Sequence, residues 1–139
     1  MENKELQGGL LDLLRIDLRD HSVIAVVGGG GKTSLIHGLR EELVTAGKKV
    51  MITTTTHMAY EPDSPFVRVG KGEEALDPKV QDKCRELLAN HHYVIAAGYE
   101  SETGKYSAIS EAAIRQLARF CDVILVEADG SKHRPVKIP

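Results

Sequence analysis

Three short stretches contain the residue types that do chemistry. They are Gly28-Gly29-Gly30-Gly31-Lys32-Thr33 with Ser34 behind it, Thr53-Thr54-Thr55-Thr56-His57, and Glu127-Ala128-Asp129-Gly130. Successive glycines take positive φ freely, so their backbone N–H groups can converge on one anion-sized concavity. A helix opening directly after them adds free N–H groups and the positive end of its dipole. Lys32 brings a mobile cation for the outer phosphates, and Thr33 brings a hydroxyl of the kind that ligates Mg²⁺. Gly28 to Ser34 are therefore expected to bind the phosphates of a nucleoside triphosphate, ATP or GTP, together with Mg²⁺.

The spacing departs from the usual pattern. G-x-x-x-x-G-K-[ST] needs glycine at position 26, where Val26 stands. The loop reads G-x-x-G-K-T from Gly28, two residues tighter, and in this it is similar to the ATP-binding loop of the Mur-ligase type.

The other two stretches complete such a site. Thr53 reads as a strand residue, whereas Thr54, Thr55 and Thr56 run past the expected strand end, where their hydroxyls face the phosphates or the metal's water shell. His57 suits a base and a solvated loop position equally, and His91 and His92 read as surface and strand-start residues. Glu127 and Asp129 follow an apolar strand, where a carboxylate holds Mg²⁺ through water or polarises an attacking group. Two residues apart in extended chain, they project to one side. Lys32, Glu127 and Asp129 are thus the catalytic candidates, and Thr33 and Asp129 the metal ligands. The bland alternative for Asp129 is a turn residue before Gly130. Lys132 and Arg134 suit a phosphate or second-substrate contact, or plain solvated charge.

The elements that must position these groups are legible from periodicity. Leu6, Leu10, Leu13, Leu14 and Leu18 predict an amphipathic covering helix over 4–18. Residues 22–27 are β-branched and without polar alternation after Ser22, as in a strand buried on both faces. A helix over 32–46 follows, with Leu35, Ile36, Leu39 and Leu43 inward and Gly47 as its stop. Residues 49–53 predict a second strand, 66–69 a short edge strand, and 73–90 a helix that Pro78 starts or breaks, with Val80, Cys84, Leu87 and Leu88 inward. A strand over 93–97 precedes a polar turn at 100–105 and a hairpin return at 106–109. Ser110 caps a helix over 111–120, and 122–126 is the last strand. Alternating strands and helices imply an α/β, three-layer domain with a mostly parallel sheet, P-loop NTPase-like, whose ligands sit beyond the carboxyl ends of the strands.

At 139 residues the chain is a single domain, able to bury roughly 68% of its unfolded surface. A net charge of -2 and an aromatic content of 4% argue against nucleic acid as a partner. No apolar run approaches the ~20 residues of a membrane span, and the first residues lack the pattern of an export signal. A cytoplasmic location is expected. Cys84 and Cys121 read as reduced, partly buried thiols.

With these residues in hand, the chain resembles the YqeC-type accessory proteins associated with selenium-dependent molybdenum hydroxylases. The resemblance lies in Val26–Thr33, Thr53–His57, 104–110 (Gly-Lys-Tyr-Ser-Ala-Ile-Ser) and 126–139, of which Glu-Ala-Asp-Gly-Ser-Lys is the most specific piece. Ala108 stands where the family tends to have glycine. Such proteins continue well past the segment matching Pro139, so the sheet is expected to be incomplete at the C-terminal side. The resemblance implies a nucleotide-binding helper in hydroxylase maturation, with a molybdenum hydroxylase or its cofactor-insertion machinery as partner. Three activities fit the residues: nucleotide hydrolysis, phosphoryl or ligase transfer to a small molecule, and nucleotide binding without turnover.

Overall fold

The computed structural model describes residues 22–27, 32–70 and 76–128. The expected helix over 4–18 lies outside them, as do Gly28 to Gly31, Asp129, Lys132 and Arg134.

In chain order the elements are β1 (Ser22–Val26), α1 (Lys32–Thr45), β2 (Val50–Thr54), β3 (His57–Ala59), β4 (Phe66–Arg68), α2 (Pro78–His91), β5 (Tyr93–Glu100), β6 (Lys105–Ser107), α3 (Glu111–Leu117) with a 3₁₀ turn at Ala118–Phe120, and β7 (Val123–Glu127). The strands form one sheet in the order β1-β7-β2-β5-β6-β3, with β4 paired to β5. Pairings β1–β7, β7–β2, β2–β5 and β4–β5 are parallel, whereas β5–β6 and β6–β3 are antiparallel. The sheet is mixed and mostly parallel.

Alternate residues of each strand pack on opposite faces, as the period of two requires. Val50, Ile52, Val123 and Leu125 join Ile36, Leu39 and Leu43 of α1 in one cluster. Met51, Val94 and Ile124 join Cys84 and Leu88 of α2 and Ala113, Ile114 and Leu117 of α3 in the other. Helices therefore cover both faces, and the central strands are apolar because each is enclosed twice.

The ends of the helices follow local chemistry. Gly47, at φ +86°, closes α1, with its N–H on the Val44 carbonyl at 2.9 Å. Pro78 starts α2 and does not break it, because a first-turn residue needs no hydrogen-bonded N–H. The Asp77 carboxylate caps that helix by accepting from Lys79 N at 2.8 Å. Ser110 caps α3 through Ala113 N at 3.0 Å.

Two expectations need correcting. Strand β5 runs three residues beyond Ala97, and the hairpin return is confined to Lys105–Ser107. The reason is that Gly98 to Glu100 pair with Ser107 to Lys105 of β6, whose other edge is taken by β3, a strand unforeseen in the sequence. The helix over 111–120 also tightens into a 3₁₀ turn after Leu117.

Candidate functional site

Strands β1, β7 and β2 end side by side, with Val26 opposite Glu127 and Thr54 also opposite Glu127. These are the carboxyl ends at which a parallel sheet presents ligands. Helix α1 begins at Lys32, six positions after the last residue of β1, and packs on β7, β1 and β2.

Lys32 turns inward. Its half-buried side chain donates from Nζ to the carbonyl of Ala128 at 2.9 Å. Ala128 N in turn donates to the Val26 carbonyl at 3.1 Å, tying the exit of β7 to that of β1. The ammonium thus lies across the end of β7, one residue from Glu127. Thr33 and Ser34 are exposed in the first turn of α1.

Glu127 is 9% exposed, and its Oε1 has no hydrogen-bond partner among the described residues. Leu125 belongs to the α1-side cluster, so Glu127, two residues on, also projects toward α1. Burial pushes its carboxyl above the ordinary carboxylate range, and the charges of Lys32 and then His37 pull the other way. Desolvation is the larger effect.

The threonine run divides by role. Thr53 is fully buried on the α2/α3 side, and its hydroxyl has no partner among the described residues. Thr54 Oγ1 is committed twice, donating to the Glu127 carbonyl at 2.9 Å and accepting from Thr56 N at 3.0 Å. It bolts the end of β2 to the end of β7. Thr55 N donates to the same carbonyl at 3.1 Å, while Thr55 Oγ1 is shielded and has no partner among the described residues. Thr56 is half-buried. His57 is drawn into β3, where its exposed ring lies 3.4 Å from Glu100. His91 and His92 are exposed, the latter left-handed at the end of α2.

A second charged cluster, which sequence reading missed, flanks α1. Glu61 takes His37 Nε2 at 2.6 Å and the Ser64 hydroxyl at 2.9 Å, with Arg40 Nη1 at 3.8 Å. Tyr106 accepts from Glu61 N at 3.2 Å, so the crossing from β3 to β4 is pinned to β6 as well as to α1. His37 and Arg40 stand off the apolar stripe of α1, but no spacing rule links them to a residue 24 positions on. Among the described residues, no group of three or more His, Cys, Asp or Glu side chains is placed to hold a metal. No helix among them is long and apolar enough to cross a membrane.

The family model described as "YqeC protein" matches residues 24–139. The chain is 39% identical over 120 residues to the "Uncharacterized protein YqeC" of Escherichia coli (strain K12), covering 85% of this chain and 44% of that relative. The chain therefore spans less than half the length of the curated relative it matches. No solved structure matches it.

Proposed function

The chain belongs to the YqeC family, and from that premise we propose that it is a Mg²⁺-dependent nucleoside triphosphate-binding protein that hydrolyses its ligand. The fold would then be of the P-loop NTPase kind, with the phosphates held by Gly28 to Ser34. The observation that carries this reading is Lys32 Nζ folded over the end of β7 beside the buried Glu127 carboxyl. A lysine in that place is 2.9 Å from a neutral carbonyl that a phosphate oxygen, being charged, outcompetes.

The donor set fits magnesium. Carboxylate and hydroxyl oxygens are the hard ligands it prefers, and it keeps several of its waters. The unpartnered Glu127 Oε1 is the kind of buried oxygen that such a hydrated ion satisfies. Thr33 and Asp129 would hold the ion, which would neutralise charge developing on the phosphates. Lys32 would bind the terminal phosphate and stabilise its charge in the transition state. Glu127, nearly buried at the end of β7, would orient the attacking group. Thr55 and Thr56 remain candidates for the phosphates or the metal's water shell, whereas Thr54 serves by fixing the strand ends.

The cellular role follows the family resemblance: a cytoplasmic accessory protein acting in maturation of a selenium-dependent molybdenum hydroxylase, with that enzyme or its cofactor-insertion machinery as partner. The test is a thermal unfolding assay with ATP, GTP and CTP, each with and without Mg²⁺. A binding nucleotide at a hundredfold excess over its Kd stabilises the folded chain by about 2.7 kcal/mol. No shift with any of the three would overturn the reading.

A further inference from the structure

The chain has four tyrosines and two phenylalanines, and four of these six rings meet in one group. The Tyr60 ring stands 5.5 Å from Tyr99, 5.3 Å from Tyr106 and 6.4 Å from Phe66, centroid to centroid. Tyr106 is fully buried, whereas Tyr60 is 44% exposed, the one large apolar side chain so open to solvent among the described residues. Arg68 steadies Tyr99, donating to its carbonyl at 3.2 Å with the guanidinium 6.0 Å over the ring. Tyr60 is thus an open flat ring braced from behind by others.

This group shares a face of the sheet with Lys32 and Glu127. Phe66 and Tyr106 pack in the cluster that contains Ile36, Leu39 and Leu43 of α1. Tyr99 stands two residues after Ala97 of that cluster and so projects to the same side. Ile109 N donates to the Thr54 carbonyl at 3.4 Å, so β6 rises beyond the end of β2. Tyr106 is three residues from that contact, about 10 Å of extended chain. Strand β7, whose end Lys32 crosses, is the neighbour of β2. Glu61, next to Tyr60, is fastened at 2.6 Å to His37, which stands one helical turn after Thr33. The rings are therefore held against the helix that carries the phosphate-binding residues.

We propose that the Tyr60 ring, backed by Tyr99 and Tyr106, is the platform on which the base of the nucleotide stacks. The inference rests on the nucleotide reading above and adds the base subsite that it leaves open. Phosphates at Lys32 and a base on Tyr60 lay the ligand across the end of β2, over Thr55 and Thr56. Every base has a π-face, so a site that grips by stacking tolerates more than one base.

The experiment measures, by calorimetry with Mg²⁺, the affinity of the chain, Tyr60→Ala and Tyr60→Phe for ATP, GTP, CTP and inorganic tripolyphosphate. Tripolyphosphate offers the phosphates without the base. The parent should bind the three nucleotides within about fivefold of one another, and each at least about tenfold more tightly than tripolyphosphate. Tyr60→Ala should lose that advantage on all three while its tripolyphosphate affinity stays unchanged, and Tyr60→Phe should keep it. The proposal is overturned by full nucleotide affinity in Tyr60→Ala, or by equal losses of nucleotide and tripolyphosphate. It is overturned too by a preference for one base above about a hundredfold, the mark of hydrogen-bond readout. Tripolyphosphate binding that survives Lys32→Ala, or no binding of any of the four ligands by the parent, would instead sink the nucleotide reading and the proposal with it.

Discussion

Lys32 and Ala128, 96 positions apart, are joined by a 2.9 Å hydrogen bond from ammonium to carbonyl, and that bond places the charge at the end of β7. It also puts the acid at 127 under the influence of a cation, while Glu127 Oε1 has no hydrogen-bond partner among the described residues. The arrangement is held by the threonine-to-carbonyl bonds from β2 and the amide bond to β1.

The threonines should separate cleanly in stability. Thr54→Val removes two hydrogen bonds and leaves Thr56 N without this acceptor, at a cost of about 1–3 kcal/mol. Thr53→Val and Thr55→Val replace hydroxyls that have no partner, so they should be neutral or stabilising. Urea unfolding of the three variants without ligand gives the order. A loss at position 53 as large as that at 54 would contradict the assignment.

The Glu127 carboxyl gives stability a pH dependence of known sign. Its pKa is raised in the folded chain, chiefly by burial. A raised acid favours the folded state below its unfolded pKa, and that contribution is lost as pH rises through the folded pKa. Glu127→Gln cancels the loss. The variant's stability relative to the parent should therefore rise across this window and level off above it, as read by denaturant unfolding at a series of pH values. A difference flat in pH would show that the carboxyl is not desolvated.

Much of this was legible before any coordinates, and the misses have causes. Strands β1, β2 and β7 announce themselves because enclosure on both faces demands unbroken apolar residues, and α1 because its stripe has helical spacing. His57-Met58-Ala59 shows no such pattern: only Met58 is buried, and β3 exists because β6 stands beside it. The Glu61 cluster was equally hidden, since ion pairs between a helix and a distant loop leave no spacing signal. Within the site, residue types marked Lys32, Glu127 and the threonine run. Which threonine is spent on structure depends on register, Thr54 opposite Glu127, and register is a property of the sheet.

Gly98 marks where β5 changes partners. A Cβ there would collide with Ser107 Oγ and press on the Ser107 and Ala108 carbonyls at 3.3 and 3.4 Å. The hydroxyl can rotate away but the carbonyls cannot. Gly98→Ala should destabilise the chain by about 1–3 kcal/mol, with partial recovery on adding Ser107→Ala. Wild-type stability in the single variant would mean that β6 is not packed this closely.

Both cysteines should be inert in the folded chain. Burial pushes the Cys84 thiol up to about 11 and the Cys121 thiol up to about 12, which leaves almost no thiolate at pH 8. A thiol-disulfide reagent should label neither until denaturant is added, and then both. Rapid native labelling would contradict the packing around α2 and α3.

Nucleotide titration calorimetry on the chain and on Lys32→Ala, with Mg²⁺ present, bears most directly on the central claim. Binding of ATP or GTP by the parent, lost in the variant while its unfolding remains cooperative, is the predicted result. Equal affinity in the two proteins would contradict it, because the ammonium at the end of β7 would then play no part in holding phosphate.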